Sequence, residues 1–203
     1  MKGEPNMTPE RLNQQITFVR EADKLKSIQR QTLLTDASRQ ENDAEHSWHL
    51  ALMALVLTEY AQGGAIDLLQ VIRMLLVHDL VEIDAGDTYC YDAGGYTDKH
   101  QRETAAAERL FNLLPSDQAI QIRTLWDEFE ACRTPEAKFA NALDRLQPLM
   151  HNAFTNGRMW KKHGIVESQV IARNRTIADG APALWTFARH LIEQAVADGH
   201  LSP

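Results

Sequence analysis

Apolar residues recur along most of this chain at the three-to-four-residue spacing of helices buried on one side. The spacing predicts a first helix over 8–26, with Thr8 as its N-cap and Pro9 at its first position. Residues 27–42 are rich in Gln, Thr, Arg and Asp and read as an irregular connection. Asn42 or Asp43 caps a second helix over 43–62, which Gly63 and Gly64 end. Further helices are expected at about 66–79, 97–114, 116–130, 135–157, 166–178 and 181–198. The stretch 84–96 is the longest break and reads as a loop at the edge of a site. No run has the alternation of a convincing strand, and neither a repeat nor a dividing linker is visible. The fold class expected is all-α, with residues 1–203 forming a single compact helical bundle.

Three interruptions of the apolar pattern carry chemistry. His46 falls in line with Leu50, Met53 and Leu57 on one helix face, in the first turn, where the helix dipole favours neutral imidazole. The apolar run Val71–Val77 ends in His78 and Asp79, and Leu75, His78, Asp79 and Glu82 share a face. Asp144 lies in the helix opened by Thr134 and Pro135. Nitrogen and carboxylate donors of this kind suit a divalent cation. Burying several ionisable groups costs several kcal/mol unless something such as a cation compensates. Each residue also has an ordinary reading. His46 can be a buried, hydrogen-bonded histidine, Asp79 and Glu82 can meet water at a helix end, and Asp144 can pair with Arg145.

Composition narrows the choices. The chain has 203 residues, 44% of them hydrophobic, enough for a substantial core. A formal net charge of −7 and a pI near 5.6 argue against a dedicated nucleic-acid binder. A small anionic substrate remains compatible, because a metal and a few local cations can reverse the field inside a cleft. Cys90 and Cys132 lack any paired spacing, so a disulfide framework is not expected and a reducing, cytoplasmic setting is the simplest. No signal peptide is visible, and no segment approaches the ~20 apolar residues that span a bilayer.

The stretch from about Leu25 to Ile165 resembles the HD-domain metal-dependent phosphohydrolases, in the branch of the 5′-deoxynucleotidases. The likeness rests on Ile28-Gln29-Arg30, Ala44-Glu45-His46-Ser47, His78-Asp79-Leu80-Val81-Glu82, Gly86-Asp87 and Ala137-Lys138-Phe139-Ala140 with Leu143-Asp144. It implies an HD-domain bundle in which His46, His78, Asp79 and Asp144 hold one divalent metal ion (Mn, Co, Fe, Ni, Zn or Mg). It further implies catalytic roles for Glu82 and Asp87 and a substrate contact for Arg30. The activity implied is hydrolysis of nucleoside or deoxynucleoside 5′-monophosphates to nucleoside and orthophosphate. A phosphodiesterase, a nucleotide triphosphohydrolase and a non-catalytic nucleotide-binding module are the alternatives on the same scaffold.

One departure stands out: the bacterial members place a Trp directly after the residue matching Arg30, where this chain has Gln31. His100 is the only further histidine between His78 and Asp144, which favours one metal. His49, one turn after His46, fits a supporting position. Tyr89, Tyr91 and Tyr96 can stack on a base or simply pack the loop. Relatives are often homodimers. The helix carrying Leu184, Trp185, Phe187, Ala188, Leu191 and Ile192 can supply that interface or close the domain's own core. The extension 166–203 carries no motif linked to chemistry.

Overall fold

The computed structural model describes residues 8–92, 94–95 and 97–203. Its α-helices are α1 (Pro9–Ala22), α2 (Asp43–Leu57), α3 (Leu68–Val77), α4 (Glu82–Ala85), α5 (Lys99–Phe111), α6 (Ser116–Ala131) and α7 (Pro135–Phe154). They continue with α8 (Arg158–His163), α9 (Glu167–Asn174), α10 (Ile177–Gly180) and α11 (Pro182–Ala197). The predominantly helical architecture agrees with the expected class. Among the described residues, no helix is long and apolar enough to cross a membrane.

The expectation of no strand fails at one place. Residues Gln29–Leu33 (β1) and Gln40–Asn42 (β2) form a two-stranded antiparallel ribbon, with Gln29 opposite Asn42 and Leu33 opposite Gln40. Strands this short and polar carry no alternation to detect. Their side chains supply site chemistry instead of core. The ribbon delivers the chain into α2 through a capping box. The Asn42 side chain accepts from the Glu45 amide at 3.0 Å, and the Asn42 amide donates to Glu45 Oε2 at 3.2 Å.

Two helix boundaries also differ. The helix expected to run through residue 79 stops at Val77, and His78–Val81 tighten into a 3₁₀ turn. Nothing in the apolar period distinguishes these two helix types over four residues. The segment expected at 166–178 is two short helices, and α8 was not anticipated.

α7 is the axis of the larger core. Its Phe139, Leu143 and Leu146 pack with Leu50 and Ala54 of α2, Val71 and Leu75 of α3, and Ala188 and Ile192 of α11. Each fully buried Leu contributes roughly 1.5–3 kcal/mol, enough to hold the polar neighbours His46 and Asp144 in place. A second cluster joins Leu25, Val77, Leu80 and Val81 to Ala107, Leu110 and Phe111 of α5 and Trp126 of α6. The apolar set on α11 therefore closes the chain's own core, with Leu184, Ala188 and Ile192 buried and Phe187 left exposed.

The C-terminal elements press closely on α7. A Cβ added at Gly180 would sit 2.1 Å from the Lys138 carbonyl oxygen, so only glycine allows this approach.

Candidate metal centre and substrate pocket

His46 on α2, His78 and Asp79 on the 3₁₀ turn, and Asp144 on α7 converge, as the sequence spacing anticipates. His46 Nε2 lies 3.0 Å from Asp144 Oδ1 and 3.8 Å from Asp79 Oδ2. His78 Nε2 lies 3.1 Å from Asp79 Oδ1 and 3.6 Å from Asp144 Oδ1. Both imidazoles are buried.

The far nitrogen of each ring fixes what the near one offers. His78 Nδ1 donates to the Leu75 carbonyl at 2.9 Å. His46 Nδ1 donates to Gln147 Oε1 at 3.1 Å, and Gln147 Nε2 donates to Glu41 Oε1 at 2.6 Å, which sets the amide's orientation. Both Nε2 atoms then present lone pairs to carboxylate oxygens. Acceptors facing acceptors at such distances need a cation or a proton between them.

Two observations make a divalent ion the better fit. His46, His78 and Asp79 offer ligand atoms within 4.8 Å of one another. His78 Nε2 is buried without a hydrogen-bond partner. Histidines tied back through their other ring nitrogen are the usual support for metal ligands.

The protonation pattern agrees. Burial, helped by the charge of Arg30, lowers His46 to about 4, so its ring is neutral. Burial also opposes charge on His78, but Asp79 and Asp144 outweigh it and raise this group to about 9. Burial works against the Asp144 carboxylate as well, yet the adjoining His46 and His78 hold it well below its ordinary value. A proton on His78 thus takes the place that a cation would fill.

A second acidic group adjoins the first. Asp43, Asp79 and Glu82 offer oxygens within 4.8 Å of one another. Arg30, on β1, spans them: its Nη1 donates to Asp79 Oδ2 at 2.9 Å and to Asp43 Oδ1 at 3.0 Å. One guanidinium cannot neutralise three buried carboxylates. Burial, then Asp79 and Asp43, raise Glu82 well above the usual carboxylate range. Burial and Asp79 push Asp43 up to about 7.

Asp87 follows Gly86, whose φ of +74° lets the chain turn off α4. Burial raises its carboxyl, with Arg30 and Lys99 pulling the other way.

These residues open onto a cavity of about 480 Å³. Arg30, Gln31, His78, Asp79, Glu82, Asp87 and Asp144 line one part of it. Tyr89 and Tyr91 form another part and meet edge to face at 5.4 Å. Both packing and lining are therefore served by these tyrosines, while Tyr96 lies outside the described residues. The volume suits a ligand of nucleotide size.

Sequence reasoning missed several participants. Asp43 sits one residue into α2, and its acidity was absorbed into the cap. Gln147 lies one turn beyond Asp144, a spacing that puts it on the ligand-bearing face, but an amide carries no motif. Arg173 and Asn174 of α9 also line the cavity, so the extension after residue 166 does contribute to its wall. Arg145, the alternative partner of Asp144, donates to the Arg173 carbonyl at 2.7 Å.

Known proteins resemble this chain over most of its length. The family described as HD domain matches residues 22–185. The chain belongs to the HD-domain family. Among curated HD relatives, the human 5′-deoxynucleotidase HDDC2 is 29% identical over 136 residues, covering 66% of this chain and 65% of that protein. Its Xenopus laevis counterpart is 32% identical, covering 66% of each chain. The chain thus spans just under two thirds of the length of these relatives. A crystal structure described as a predicted metal-dependent phosphohydrolase, from Magnetospirillum magnetotacticum, is 54% identical. It covers 96% of this chain and 97% of its own, with a TM-score of 0.91.

Proposed function

We propose that this HD-domain protein is a metal-dependent phosphomonoesterase that hydrolyses nucleoside and deoxynucleoside 5′-monophosphates to nucleoside and orthophosphate. The reading rests on one observation above others: the Nε2 atoms of His46 and His78 and the oxygens of Asp79 and Asp144 face a common point at the floor of a nucleotide-sized cavity. The names of the HDDC2 relatives supply the substrate class.

His46, His78, Asp79 and Asp144 would hold one divalent ion. When bound, such an ion offsets phosphoryl charge and lowers the pKa of water. Glu82 lies beside Asp79 in the same acidic group; a bound ion would offset the neighbouring negative charge that raises its carboxyl and leave it ionised to accept a proton from the attacking water. Asp87, with its raised pKa, holds a proton for the leaving 5′ oxygen. Arg30 is held between Asp43 and Asp79 at the cavity wall, where its fork can turn to a phosphoryl oxygen. Gln31 also lines the cavity in place of the Trp found in bacterial members, so selection for deoxyribose over ribose is expected to be weak.

The proposal includes a cytoplasmic homodimer. Trp48, Leu52, Leu55 and Val56 form an exposed apolar stripe on α2 that supports a subunit contact, and light scattering of the purified protein checks it.

The function is tested by orthophosphate release from a panel of ribo- and deoxyribonucleoside 5′-monophosphates with Mn²⁺, Co²⁺ or Mg²⁺, beside an Asp79→Ala control of verified fold. Metal-dependent release lost in the control is the expected result. Release of pyrophosphate or tripolyphosphate from di- or triphosphates alone would replace the monoesterase with another phosphohydrolase. Tight nucleotide binding without turnover under every metal would replace it with a binding module.

A further inference from the structure

Behind His46, outside the cavity lining, lies another group of ligating side chains. Glu41 comes from β2, His49 from the second turn of α2, and His151 from the last turns of α7. Each offers a ligand atom within 4.8 Å of the others. Glu41 is 2% exposed and His151 is 3% exposed, while His49 is half-buried.

The spacing is that of shared ligation, not of direct bonding. Glu41 Oε2 lies 3.7 Å from His151 Nδ1, too far for a hydrogen bond. Two atoms each ~2.1 Å from one tetrahedral ion sit roughly 3.4 Å apart. His151 Nδ1 is buried with no hydrogen-bond partner and faces this carboxylate. The rings of His49 and His151 stack at 5.6 Å between centroids and 29° between planes, which brings the second imidazole to the same place.

The protein's own donors do not account for the group. Gln147 Nε2 approaches Glu41 Oε1 at 2.6 Å, and His49 Nδ1 and His151 Nε2 at 3.3 Å each. Its two hydrogens serve two of those three acceptors. The other carboxylate oxygen, Glu41 Oε2, has the Thr32 hydroxyl at 3.5 Å, a marginal hydrogen bond, with His46 Nδ1 and His151 Nδ1 at 3.7 Å and Arg30 Nε at 4.0 Å, all beyond bonding distance.

We propose that Glu41, His49 and His151 form a second cation site, distinct from the His46–His78–Asp79–Asp144 centre. Two imidazoles and one carboxylate are a zinc-type donor set, whereas Mg²⁺ and Ca²⁺ prefer oxygen alone. The half-exposed His49 leaves the solvent side for water as a further ligand. The site ties β2 and α2 to α7. Since α2 carries His46 and α7 carries Asp144, a cation here acts as a staple that fixes the spacing of the first centre.

The test strips the full chain of metal, reloads it with Zn²⁺, dialyses it and counts bound zinc by mass spectrometry. Wild type should hold two equivalents per chain, His49→Ala one, Asp144→Asn one, and the double variant none. Zn²⁺ should also raise the melting temperature of Asp144→Asn, and this rise should vanish when His49→Ala is added. His49 is on a partly exposed helix face, and circular dichroism confirms that the variant folds. One equivalent in wild type, or an unchanged count in folded His49→Ala, overturns the proposal.

Discussion

Replacing Gln147 by Leu removes the acceptor that orients His46 and the donor that holds Glu41, while keeping the side chain's approximate bulk. Two consequences can be sized separately. The first concerns the metal. Loss of the group that fixes a histidine ligand's tautomer costs about 10–100-fold in metal affinity, or roughly 1.4–2.7 kcal/mol. The 3.1 Å bond from His46 Nδ1 places Gln147 in that role. The second concerns the fold. His46 Nδ1 and Glu41 Oε1 are left buried and unpaired, at roughly 1–3 kcal/mol each. Gln147→Glu is the matched contrast. Its carboxylate still accepts from His46, and Glu41, raised to about 7 by burial, can donate its own proton to it near pH 6. The assay is competition for Co²⁺ against a chelating dye, following the site that Asp144→Asn removes, with thermal unfolding in parallel. Weakened binding in the Leu variant with near-normal binding in the Glu variant is expected. Unchanged affinity in a folded Gln147→Leu protein would refute the idea that His46 is oriented through this amide.

Further outcomes follow from the same geometry. Glu82→Gln should lower kcat about 10²–10⁴-fold without changing metal content, as counted on the purified protein. Glu41 and Asp43 are raised to about 7 in the fold, so the native state binds protons that the unfolded chain has already lost. Metal-free protein should therefore lose this contribution as pH climbs from about 4 to about 7. His46, lowered to about 4, contributes in the opposite direction, while His78, raised to about 9, carries the loss on up to about pH 9. Denaturant melts from about pH 4 to about pH 9 check the sign. Bound metal should flatten this slope, because it supplies the counter-charge. Gly180→Ala drives a Cβ into the Lys138 carbonyl, and calorimetry should show a loss of roughly 1–3 kcal/mol.

The residues proposed as ligands are legible because they interrupt strong periodic patterns. His46 falls on an apolar face whose Leu50 and Met53 are buried in the structure, and His78-Asp79 ends an apolar run that leads straight into the core. Their supporting groups were not legible, for two reasons. Gln147 and Asp43 act through bonds across more than one element, and a single amide or acid inside a helix has many ordinary explanations. The ribbon carrying Arg30 and Glu41 gains its order from side-chain bonds to distant helices, so eight strand residues, seven of them polar, read as a loop. His151 lies beyond Asp144 in the last turns of α7, where a single histidine has no motif around it to mark it. The same gap hid the role of α9, whose Arg173 reaches the cavity only through the packing of the C-terminal helices on α7.

The central claim is that His46, His78, Asp79 and Asp144 hold the ion on which phosphate release depends. It is tested most directly by back-titrating metal-stripped protein with Co²⁺ while following orthophosphate release from a deoxynucleoside 5′-monophosphate. Activity should rise in proportion to occupancy of the site that Asp144→Asn abolishes, and that variant should stay inactive at every concentration. Full activity in the stripped protein, or in Asp144→Asn, would contradict the account.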